Sequence, residues 1–484
     1  MPAPGSAPFE APRRRITVLF VVAAVLALVG AAPILPAGAQ SSTTPGTSAP
    51  RPRLTTPVLS ARRVPDLLRS RIADERIKKA IDDIADDAPA TSCIEISAHG
   101  RLIYRRNADA LLEPASNNKL LTAVGILNYA KPDDKIVTAA VAQAPPAGGV
   151  VKGNLWLVGG GDGMLTTPGY KTSFTEVGQT DVPFAQLADN IKAAGITEIS
   201  GDIVGDDSRY DAERYVPSWP NRYKREDTVG PMSALIVNDG VTGYSKDPDK
   251  PAKVRLPGDP PVLAAETLKS YLEQRGVKIT GTAVAGKAPS GTAEVARLET
   301  SIEDELTEML SFSDNTTAEL VNKEIGLRAS GTGTTVAGTK ATIAVLEKLG
   351  IDTRGLVVND GSGLDDGNRL TCDLLNTLLD KQGPESGLAK GLSIWGQRGT
   401  LRKRTKGNGL EGKVLAKTGT LTNPPVASLA GFETTKSGDV LTFSFIQNGP
   451  KTDAGLQDKL ALALLDYPQA PSTADLGPTS PSNP

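Results

Sequence analysis

The segment from Pro114 to Ala123 (PASNNKLLTA) sets the strongest limit on the fold of this chain. A proline and a small residue precede an apolar run that extends to Tyr129, which predicts a helix beginning near Ala115. Ser116 and Lys119 are three residues apart, so they would lie on the same face of the first turn. The positive end of the helix dipole favours an anion there and disfavours a protonated lysine. The pattern therefore indicates a serine hydroxyl beside an amine that can take its proton.

The pair of Ser116 and Lys119 is a weak signal by itself. A chain of 484 residues should contain the Ser-x-x-Lys spacing about once or twice by chance, and this chain contains it once. On the pair alone, a buried helix with a polar N-terminal turn is the favoured interpretation. For lysine to act as the base, burial and positive neighbours must lower its pKa from about 10.4. Other parts of the chain must decide between these interpretations.

The N-terminus has the layout of a secretory signal. Three arginines, Arg13 to Arg15, precede the apolar residues 16–32, and Ala37-Gly38-Ala39 is typical of a cleavage site. The alternative is an uncleaved anchor, because residues 16–35 are long enough to span a bilayer and to associate the protein with a membrane. Both interpretations predict an exported protein that works in the periplasm, in the cell wall or at the outer face of the cytoplasmic membrane.

Composition limits the partners and the metal chemistry. The net charge is −2 and no basic block stands out in the exported part, so nucleic acid is not a predicted partner. The chain holds two cysteines and one histidine, which argues against a Cys/His metal centre, and neither a metal nor a cofactor is predicted. His99 precedes Gly100 in a predicted hairpin turn, which argues against a Ser-His-Asp mechanism and favours lysine as the base.

The two cysteines, Cys93 and Cys372, allow one disulfide, because an exported protein meets an oxidising compartment. An even number of cysteines fits one bridge, but two small buried thiols are an alternative interpretation. The sequence leaves both interpretations open.

Two further motifs favour an enzyme over an ordinary buried helix. Ser313-Asp314-Asn315 is predicted to lie in a loop between two helices. Lys417-Thr418-Gly419-Thr420 precedes two strand-like runs, residues 427–433 and 440–447. Each motif occurs once, and their order after Ser116 makes a chance arrangement a poor explanation.

These motifs contain the residue types that acyl transfer through a serine requires. Ser116 would attack a carbonyl carbon to form an acyl-enzyme, and Lys119 would take the hydroxyl proton. Ser313 would relay a proton to the leaving amine, and Asn315 would bind the substrate amide. The backbone N–H groups of Ser116 and Thr420 would form the oxyanion hole.

The third motif is suited to binding an anionic substrate group. Lys417 would provide positive charge for a substrate carboxylate and would help to lower the pKa of Lys119. Thr418 and Thr420 would offer hydroxyl groups to the same carboxylate. Gly419 would let a substrate backbone approach the strand, because it has no side chain.

The ordered trio resembles the motifs of penicillin-binding proteins and class A β-lactamases. Ser116 and Ser313 are 197 residues apart, which is too far for a simple β-lactamase. A large insertion at this place is similar to the D-Ala-D-Ala carboxypeptidase/endopeptidase family, the class C low-molecular-mass penicillin-binding proteins. Further segments that resemble this family are residues 114–123, 157–162, 201–209 and 360–364.

This resemblance implies an α/β fold, in which a serine β-lactamase/transpeptidase-like domain (an antiparallel sheet flanked by helices) is interrupted by a large inserted α/β region. Strand-like runs at 136–141, 154–158 and 197–204 fall within or beside the insertion. The predicted organisation is a signal peptide or anchor at 1–39, a disordered linker at 40–62, the catalytic domain at 63–136 and 292–468, inserted domains at 137–291 and a disordered tail at 469–484.

The resemblance also implies a function. We predict a serine-type D-alanyl-D-alanine carboxypeptidase that acts on peptidoglycan stem peptides and is inhibited covalently by penicillin and other β-lactams. Cleavage of cross-links, an endopeptidase activity, stays open. The alternatives are a non-catalytic envelope protein on the same fold that binds peptidoglycan or a partner, and a β-lactamase, for which the sequence identifies no deacylating glutamate.

The sequence departs from the family pattern at two places. Asp365-Asp366-Gly367 follows the segment 360–364, where the family usually has a Ser-Arg type continuation. Arg398 stands where an acidic residue is common before Gly399-Thr400-Leu401. Neither departure removes a catalytic group, and both are expected to alter the cleft rim and the choice of substrate.

Overall fold

The computed structural model describes residues 65–472 except 173, 175, 225–227, 242–258 and 405, together with Leu476. The predicted signal peptide or anchor, including residues 16–35, the linker and most of the tail lie outside the described residues. Within the part that is described, no helix has the length and apolar character needed to cross a membrane.

The secondary structure alternates helices and strands along the chain. The helices are α1 Pro65–Asp87, α2 Asn118–Tyr129, α3 Pro168–Lys171, α4 Ala185–Ala193, α5 Pro260–Gln274, α6 Ile302–Ser311, α7 Asn315–Ser330, α8 Thr335–Lys348, α9 Cys372–Gln382, α10 Gly387–Gly391 and α11 Ala454–Leu465. The strands are β1 Ser92–Ala98, β2 Arg101–Arg106, β3 Lys135–Ala142, β4 Val150–Val151, β5 Leu155–Val158, β6 Leu165–Thr166, β7 Val182–Pro183, β8 Glu198–Ile199, β9 Ile203–Asp206, β10 Lys278–Ile279, β11 Ala283–Ala285, β12 Ala293–Ser301, β13 Ser393–Ile394, β14 Val414–Thr422, β15 Pro425–Thr434 and β16 Val440–Asn448. Single 3-10 turns cover Ala115–Asn117, Asn238–Gly240 and Gly399–Leu401.

The largest sheet has the strand order β13-β14-β15-β16-β1-β2, and its neighbouring strands are antiparallel. Strand β1 pairs with β16, so the first hairpin and the last strand meet inside this sheet. Side chains of β16 alternate between two cores: Phe443 and Phe445 pack with α1 and α11, whereas Ile446 packs with α2, α6 and α9. Both faces are therefore covered by helices, and the predicted antiparallel sheet flanked by helices is confirmed.

A second sheet is formed by the residues between α2 and α6. Its strand order is β11-β9-β5-β3-β12, and apolar residues of α4 and α5 pack on it in a separate core. Strand β12 was assigned to the catalytic segment by the predicted boundary at 292, but it pairs with β3 in this sheet. The domain boundaries stay predictions, and the β12–β3 pairing favours a second boundary near residue 301.

One predicted strand is wrong as a single element. Residues 197–204 form β8 and β9, which belong to two different sheets, because the chain changes direction at Gly201. A Cβ atom on Gly201 would lie 2.5 Å from the backbone carbon of Gly153, so only glycine fits this close approach. Asn154 Oδ1 then accepts a hydrogen bond from the Asp202 backbone N–H at 2.9 Å and fixes the bend.

Candidate active site

Ser116 lies in a single 3-10 turn that leads into α2. The turn is strained, because Ala115 has φ 49°, a left-handed conformation that residues other than glycine rarely adopt. Ser428 on β15 holds this turn: its Oγ donates to Pro114 O at 2.7 Å and accepts from Asn117 Nδ2 at 2.6 Å. The serine therefore sits on a braced turn before the regular α-helix, which corrects the predicted helix start near Ala115.

Lys119 contacts Ser116 and two carbonyl oxygens. Its Nζ lies 3.1 Å from Ser116 Oγ, 2.6 Å from Asn315 Oδ1 and 2.8 Å from Ser362 O. The Asn315 amide is oriented by its Nδ2, which donates to Thr228 O at 2.8 Å, so Oδ1 faces the lysine. Both carbonyl oxygens can only accept, and they use the two N–H bonds of a neutral amine. The lone pair is then left for the hydroxyl proton of Ser116.

Burial adjusts the basicity of Lys119. The side chain is fully buried, and desolvation lowers its pKa to about 8, from an ordinary value near 10.5. The nearby carboxylates of Asp314, Asp360 and Glu319 oppose this effect and keep the pKa from falling further. An amine with this pKa is partly neutral near neutral pH, which suits a general base.

Ser313 and Asn315 come from the tight connection between α6 and α7. Ser313 has φ 65°, which turns the chain sharply after α6. Asp314 caps α7 by accepting the backbone N–H of Thr317 at 2.6 Å. Asn315 is the first residue of α7, so the cap fixes the amide that contacts Lys119. The predicted loop between two helices thus places two polar side chains at the cleft.

Lys417 lies inside strand β14, between Val414 and Thr422, although the sequence placed its motif before the C-terminal strands. Its Nζ donates to Ser313 Oγ and to Thr418 O, both at 2.8 Å. Desolvation lowers the pKa of the fully buried Lys417 well below its ordinary value, and the positive charge of Lys119 adds to this effect. Lys417 therefore connects the Ser313 loop to the strand beside the serine.

The three residues after Lys417 on β14 differ in their exposure and in the groups that they contact. Thr418 is partly buried and its Oγ1 lies 2.8 Å from Thr400 Oγ1. A Cβ atom on Gly419 would lie 2.2 Å from Ser428 Oγ and 3.1 Å from Ser116 N, so only glycine allows this strand to approach the serine turn. Thr420, the third of these residues, is exposed.

The loop of residues 360–364 is a third support of the site, and sequence analysis assigned no role to it. The Glu319 carboxylate accepts the backbone N–H of Gly361 and of Ser362 at distances between 2.7 and 3.1 Å. Burial raises the pKa of Glu319 to about 8, and the adjacent Asp360 carboxylate contributes to the rise. This loop presents Ser362 O to Lys119.

Asp360 organises the same loop from its other side. Its carboxylate accepts hydrogen bonds from Gly363 N at 2.9 Å, from Asn368 Nδ2 at 2.9 Å and from Trp219 Nε1 at 2.9 Å. Trp219 belongs to the segment between β9 and α5, so the inserted residues contribute directly to the support of the site. The two glycines in Asp-Gly-Ser-Gly were a signal for a tight loop, because Gly363 has φ 85° and its Cβ would meet Ala115 O at 2.0 Å.

Cys93 and Cys372 form a disulfide between β1 and the first residue of α9. Both residues are buried in the core that also contains α2. The bridge therefore joins the large sheet to the start of α9.

The two departures from the family pattern have local partners. Asp365 is buried and accepts hydrogen bonds from Ser218 Oγ and from Asn359 Nδ2, whereas Asp366 is exposed. Arg398 donates to the backbone carbonyls beside α10, including Leu392 O at 2.6 Å, and burial lowers its pKa. Their effect on the choice of substrate stays a prediction.

Comparison with known proteins identifies the family. The model of the D-Ala-D-Ala carboxypeptidase 3 (S13) family matches residues 75–262 and 250–466. The chain is 30% identical over 484 residues to the D-alanyl-D-alanine carboxypeptidase of Actinomadura sp. (strain R39), covering 83% of this chain and 86% of the relative. It is 28% identical over 377 residues to carboxypeptidase DacB of Mycolicibacterium smegmatis, covering 75% of this chain and 78% of the relative.

The fold is also found in a solved structure. Penicillin binding protein 4 of Haemophilus influenzae superposes with a TM-score of 0.65 at 20% identity, covering 80% of this chain and 99% of the neighbour. This likeness confirms the predicted fold class, and the family match and the curated relatives confirm the predicted family. The chain belongs to the D-Ala-D-Ala carboxypeptidase 3 (S13) family.

Proposed function

We propose that this protein is a serine-type D-alanyl-D-alanine carboxypeptidase that acts on peptidoglycan stem peptides through an acyl-enzyme on Ser116. The observation that carries the proposal is the position of Lys119 Nζ, 3.1 Å from Ser116 Oγ, with its other two contacts made to carbonyl oxygens. A neutral lysine in this position has one lone pair, and that lone pair faces the serine. Membership of the family and the names of its curated relatives support the same reaction.

Acylation begins when Lys119 takes the Ser116 proton and Oγ attacks the carbonyl carbon of the penultimate D-alanine. The new O–C bond replaces the C–N bond to the terminal D-alanine, which leaves as an amine after receiving a proton. Ser313 is proposed to pass that proton on, and the hydrogen bond that its Oγ accepts from Lys417 Nζ supports this role. Water then attacks the ester, and Ser116 regains its proton through Lys119.

The proposed oxyanion hole consists of the backbone N–H groups of Ser116 and Thr420. The close approach of Gly419 to Ser116 N supports this assignment, because it places β14 directly beside the serine turn. Asn315 is proposed to bind the substrate amide, and Lys417 is proposed to bind the terminal carboxylate with the exposed hydroxyl of Thr420. β-Lactams would enter the same site and acylate Ser116.

We further propose that the protein works outside the cytoplasmic membrane, in the periplasm, in the cell wall or at the outer face of the membrane. The disulfide between Cys93 and Cys372 supports this location, because such bonds persist in oxidising compartments. N-terminal sequencing of the exported protein would distinguish cleavage after residue 39 from an uncleaved anchor at residues 16–35.

The first experiment is intact-mass spectrometry of the exported protein with and without benzylpenicillin. We expect one penicillin on the peptide that carries Ser116 and no adduct on the Ser116→Ala variant. An adduct on that variant would show that the nucleophile is another residue. Fast release of hydrolysed penicillin would favour a β-lactamase, and neither adduct nor hydrolysis would favour a non-catalytic binding protein.

The second experiment separates the two peptidoglycan activities. We expect the wild-type protein to release D-alanine from a stem peptide that ends in D-alanyl-D-alanine. Incubation with a cross-linked muropeptide dimer measures the endopeptidase activity in the same preparation. Failure to release D-alanine from the first substrate would overturn the carboxypeptidase proposal.

A further inference from the structure

A glycine-rich loop of the inserted region, residues 159–163, packs against α7. A Cβ atom on Gly163 would lie 2.6 Å from Thr317 Oγ1, in the first turn of that helix. On the other side of the loop, a Cβ atom on Gly160 would lie 2.3 Å from Val137 O in β3. The loop can approach both elements because these positions carry no side chain. The glycine-rich loop therefore joins the second sheet to the connection between α6 and α7.

Asp162 in the glycine-rich loop and Glu305 in α6 form a buried pair of carboxyl groups, with 1% and 0% of each residue exposed. Asp162 Oδ1 accepts the backbone N–H of Met164 at 2.7 Å, and Asp162 Oδ2 accepts the hydroxyl of Thr300. Neither oxygen of Glu305 accepts a hydrogen bond from a donor among the described residues, and the hydrogen-bonding contact of this group is with Asp162. One carboxyl group therefore has two donors and the other has none.

The contact between these two groups requires a proton. Ionised carboxylates can only accept, and two buried negative charges repel each other. Because two donors stabilise a charge on Asp162 and none stabilises one on Glu305, the proton belongs on Glu305, which donates to Asp162. Burial raises the pKa of Glu305 well above its ordinary value, and the charge of Asp162 adds to the rise. The other charged groups that act on the pair, Asp304, Glu308 and Asp314, are acidic and favour the same protonated state.

We propose that Asp162 and Glu305 share one proton and that this protonated contact positions the connection that carries Ser313. Helix α6 ends at Ser311, two residues before Ser313, so a shift of α6 relative to the glycine-rich loop moves that connection. Both residues act through the backbone and not on the substrate, which makes them positioning residues. The proposal rests on the proposed function, because it assumes that Ser313 passes a proton to the leaving amine.

The shared proton links the stability of the protein to pH. An unfolded glutamate has a pKa of about 4.3, whereas the pKa of folded Glu305 is well above this value. The folded state therefore binds one more proton than the unfolded state in the interval between the two pKa values. The contribution of this group to stability is complete below the unfolded pKa and is lost as the pH rises through the folded pKa.

The first test counts this proton by equilibrium unfolding in urea between about pH 5 and about pH 8. Glu305→Gln keeps the size of the side chain and can donate its amide N–H to Asp162, but it has no proton to lose. We expect the unfolding equilibrium constant of the wild type, relative to this variant, to increase about tenfold per pH unit, the slope of one proton. Glu303→Gln changes an exposed residue of α6 and should keep the wild-type pH dependence. Parallel curves for the wild type and Glu305→Gln would overturn the proposal.

The second test asks whether the contact positions the connection that carries Ser313. Glu305→Leu keeps the bulk but cannot donate, so Asp162 retains a buried charge without this partner. We expect kcat/KM for release of D-alanine from a stem peptide to fall about tenfold, because a small displacement of a group that transfers a proton is costly. Glu305→Gln should restore most of the loss, since it still donates. Wild-type activity in Glu305→Leu, or equal losses in both variants, would refute the positioning role.

The pH dependence of acylation by penicillin keeps the proposal testable if Glu305→Leu does not fold. We expect the acylation rate of the wild type, divided by that of Glu305→Gln, to fall as the pH rises above neutral, because only the wild type can lose the shared proton. A ratio that does not change with pH would refute the positioning role. The unfolding measurement needs no turnover, so it separates failure of this proposal from failure of the proposed carboxypeptidase activity.

Discussion

The two sides of the cleft each carry a fully buried lysine, and they differ in the charge around it. Lys119 has Asp314, Asp360 and Glu319 nearby, and these carboxylates oppose the loss of its proton. Around Lys417 the nearest influence after burial is the positive charge of Lys119, and no carboxylate opposes the effect of burial among the described residues. Burial therefore lowers the pKa of both amines. Nearby carboxylates limit this effect for Lys119 and hold its pKa at about 8.

This difference is consistent with the proposed roles of Lys119 as the base and Lys417 as the binding group. A general base works best when its pKa is close to the working pH, and buried carboxylates keep Lys119 in that range. Lys417 has no carboxylate partner among the described residues, so a substrate carboxylate bound there, as proposed, would favour its charged form. The protein therefore provides negative charge near Lys119, whereas a bound substrate would provide it near Lys417.

The largest expected effect comes from removing the base. Lys119→Met should slow acylation of Ser116 by penicillin by about 10²- to 10⁴-fold, because it removes the amine that contacts the Ser116 hydroxyl. Labelled penicillin and rapid quenching measure the rate. Lys323→Met is a matched control, since Lys323 is also buried but pairs with Asp211 at 2.5 Å. A control that loses acylation as severely would mean that any buried lysine on these helices matters only for folding.

Removing the binding lysine should act on one substrate more than on the other. Lys417→Met should reduce kcat/KM by about 10- to 100-fold for a peptide with a free C-terminal carboxylate, the range of a charge-assisted hydrogen bond. The methyl ester of the same peptide should lose less. Equal losses for both peptides would show that Lys417 acts through Ser313 rather than through the carboxylate.

The difference between the two sides also shows how far the sequence could predict the site. The contact of Ser116 with Lys119 follows from their spacing on one turn. The meeting of Ser313 with Lys417 joins segments 104 residues apart. No local pattern encodes that meeting, so its prediction came from resemblance to a family.

The supporting groups were missed for the same physical reason. Glu319 appears in the sequence as an ordinary helical glutamate, and Thr400 as a loop threonine. Their roles depend on backbone N–H groups and hydroxyls that arrive from distant parts of the chain. Strand β12 was missed because its exposed and buried residues alternate without a strong apolar run, and its partner β3 lies far away in the sequence.

A smaller expected effect tests whether the nearby carboxylates raise the pKa of Lys119. Acylation should increase with pH through about 8 as Lys119 loses its proton. Glu319→Gln removes a carboxylate that raises the pKa of Lys119. The midpoint of the pH dependence of acylation should therefore move to lower pH, by about 0.5 pH unit. The shift is small because burial raises the pKa of Glu319 itself to about 8, and it is only partly ionised in this range.

Glu308→Gln is the control for that shift. Burial also raises the pKa of Glu308 to about 8, but this side chain accepts hydrogen bonds from Gln179 and Thr180 and is not among the carboxylates that raise the pKa of Lys119. Its midpoint should stay at the wild-type value. A midpoint that moves upward in Glu319→Gln would contradict the view that carboxylates sustain the proton of Lys119.

The smallest expected effect concerns the brace between Ser428 on β15 and the turn of Ser116. Ser428→Ala removes the hydroxyl that joins Pro114 O to Asn117 Nδ2, so it should reduce the free energy of unfolding by about 1 kcal/mol and slow acylation a few fold. Ser444→Ala removes a similar buried hydroxyl, which donates to Cys372 O at 3.0 Å away from the cleft. Chemical denaturation and penicillin acylation of both variants separate the two effects. If both variants lose equal stability and only Ser428→Ala slows acylation, the brace positions the nucleophile; if both acylate at the wild-type rate, the strained turn holds Ser116 without it.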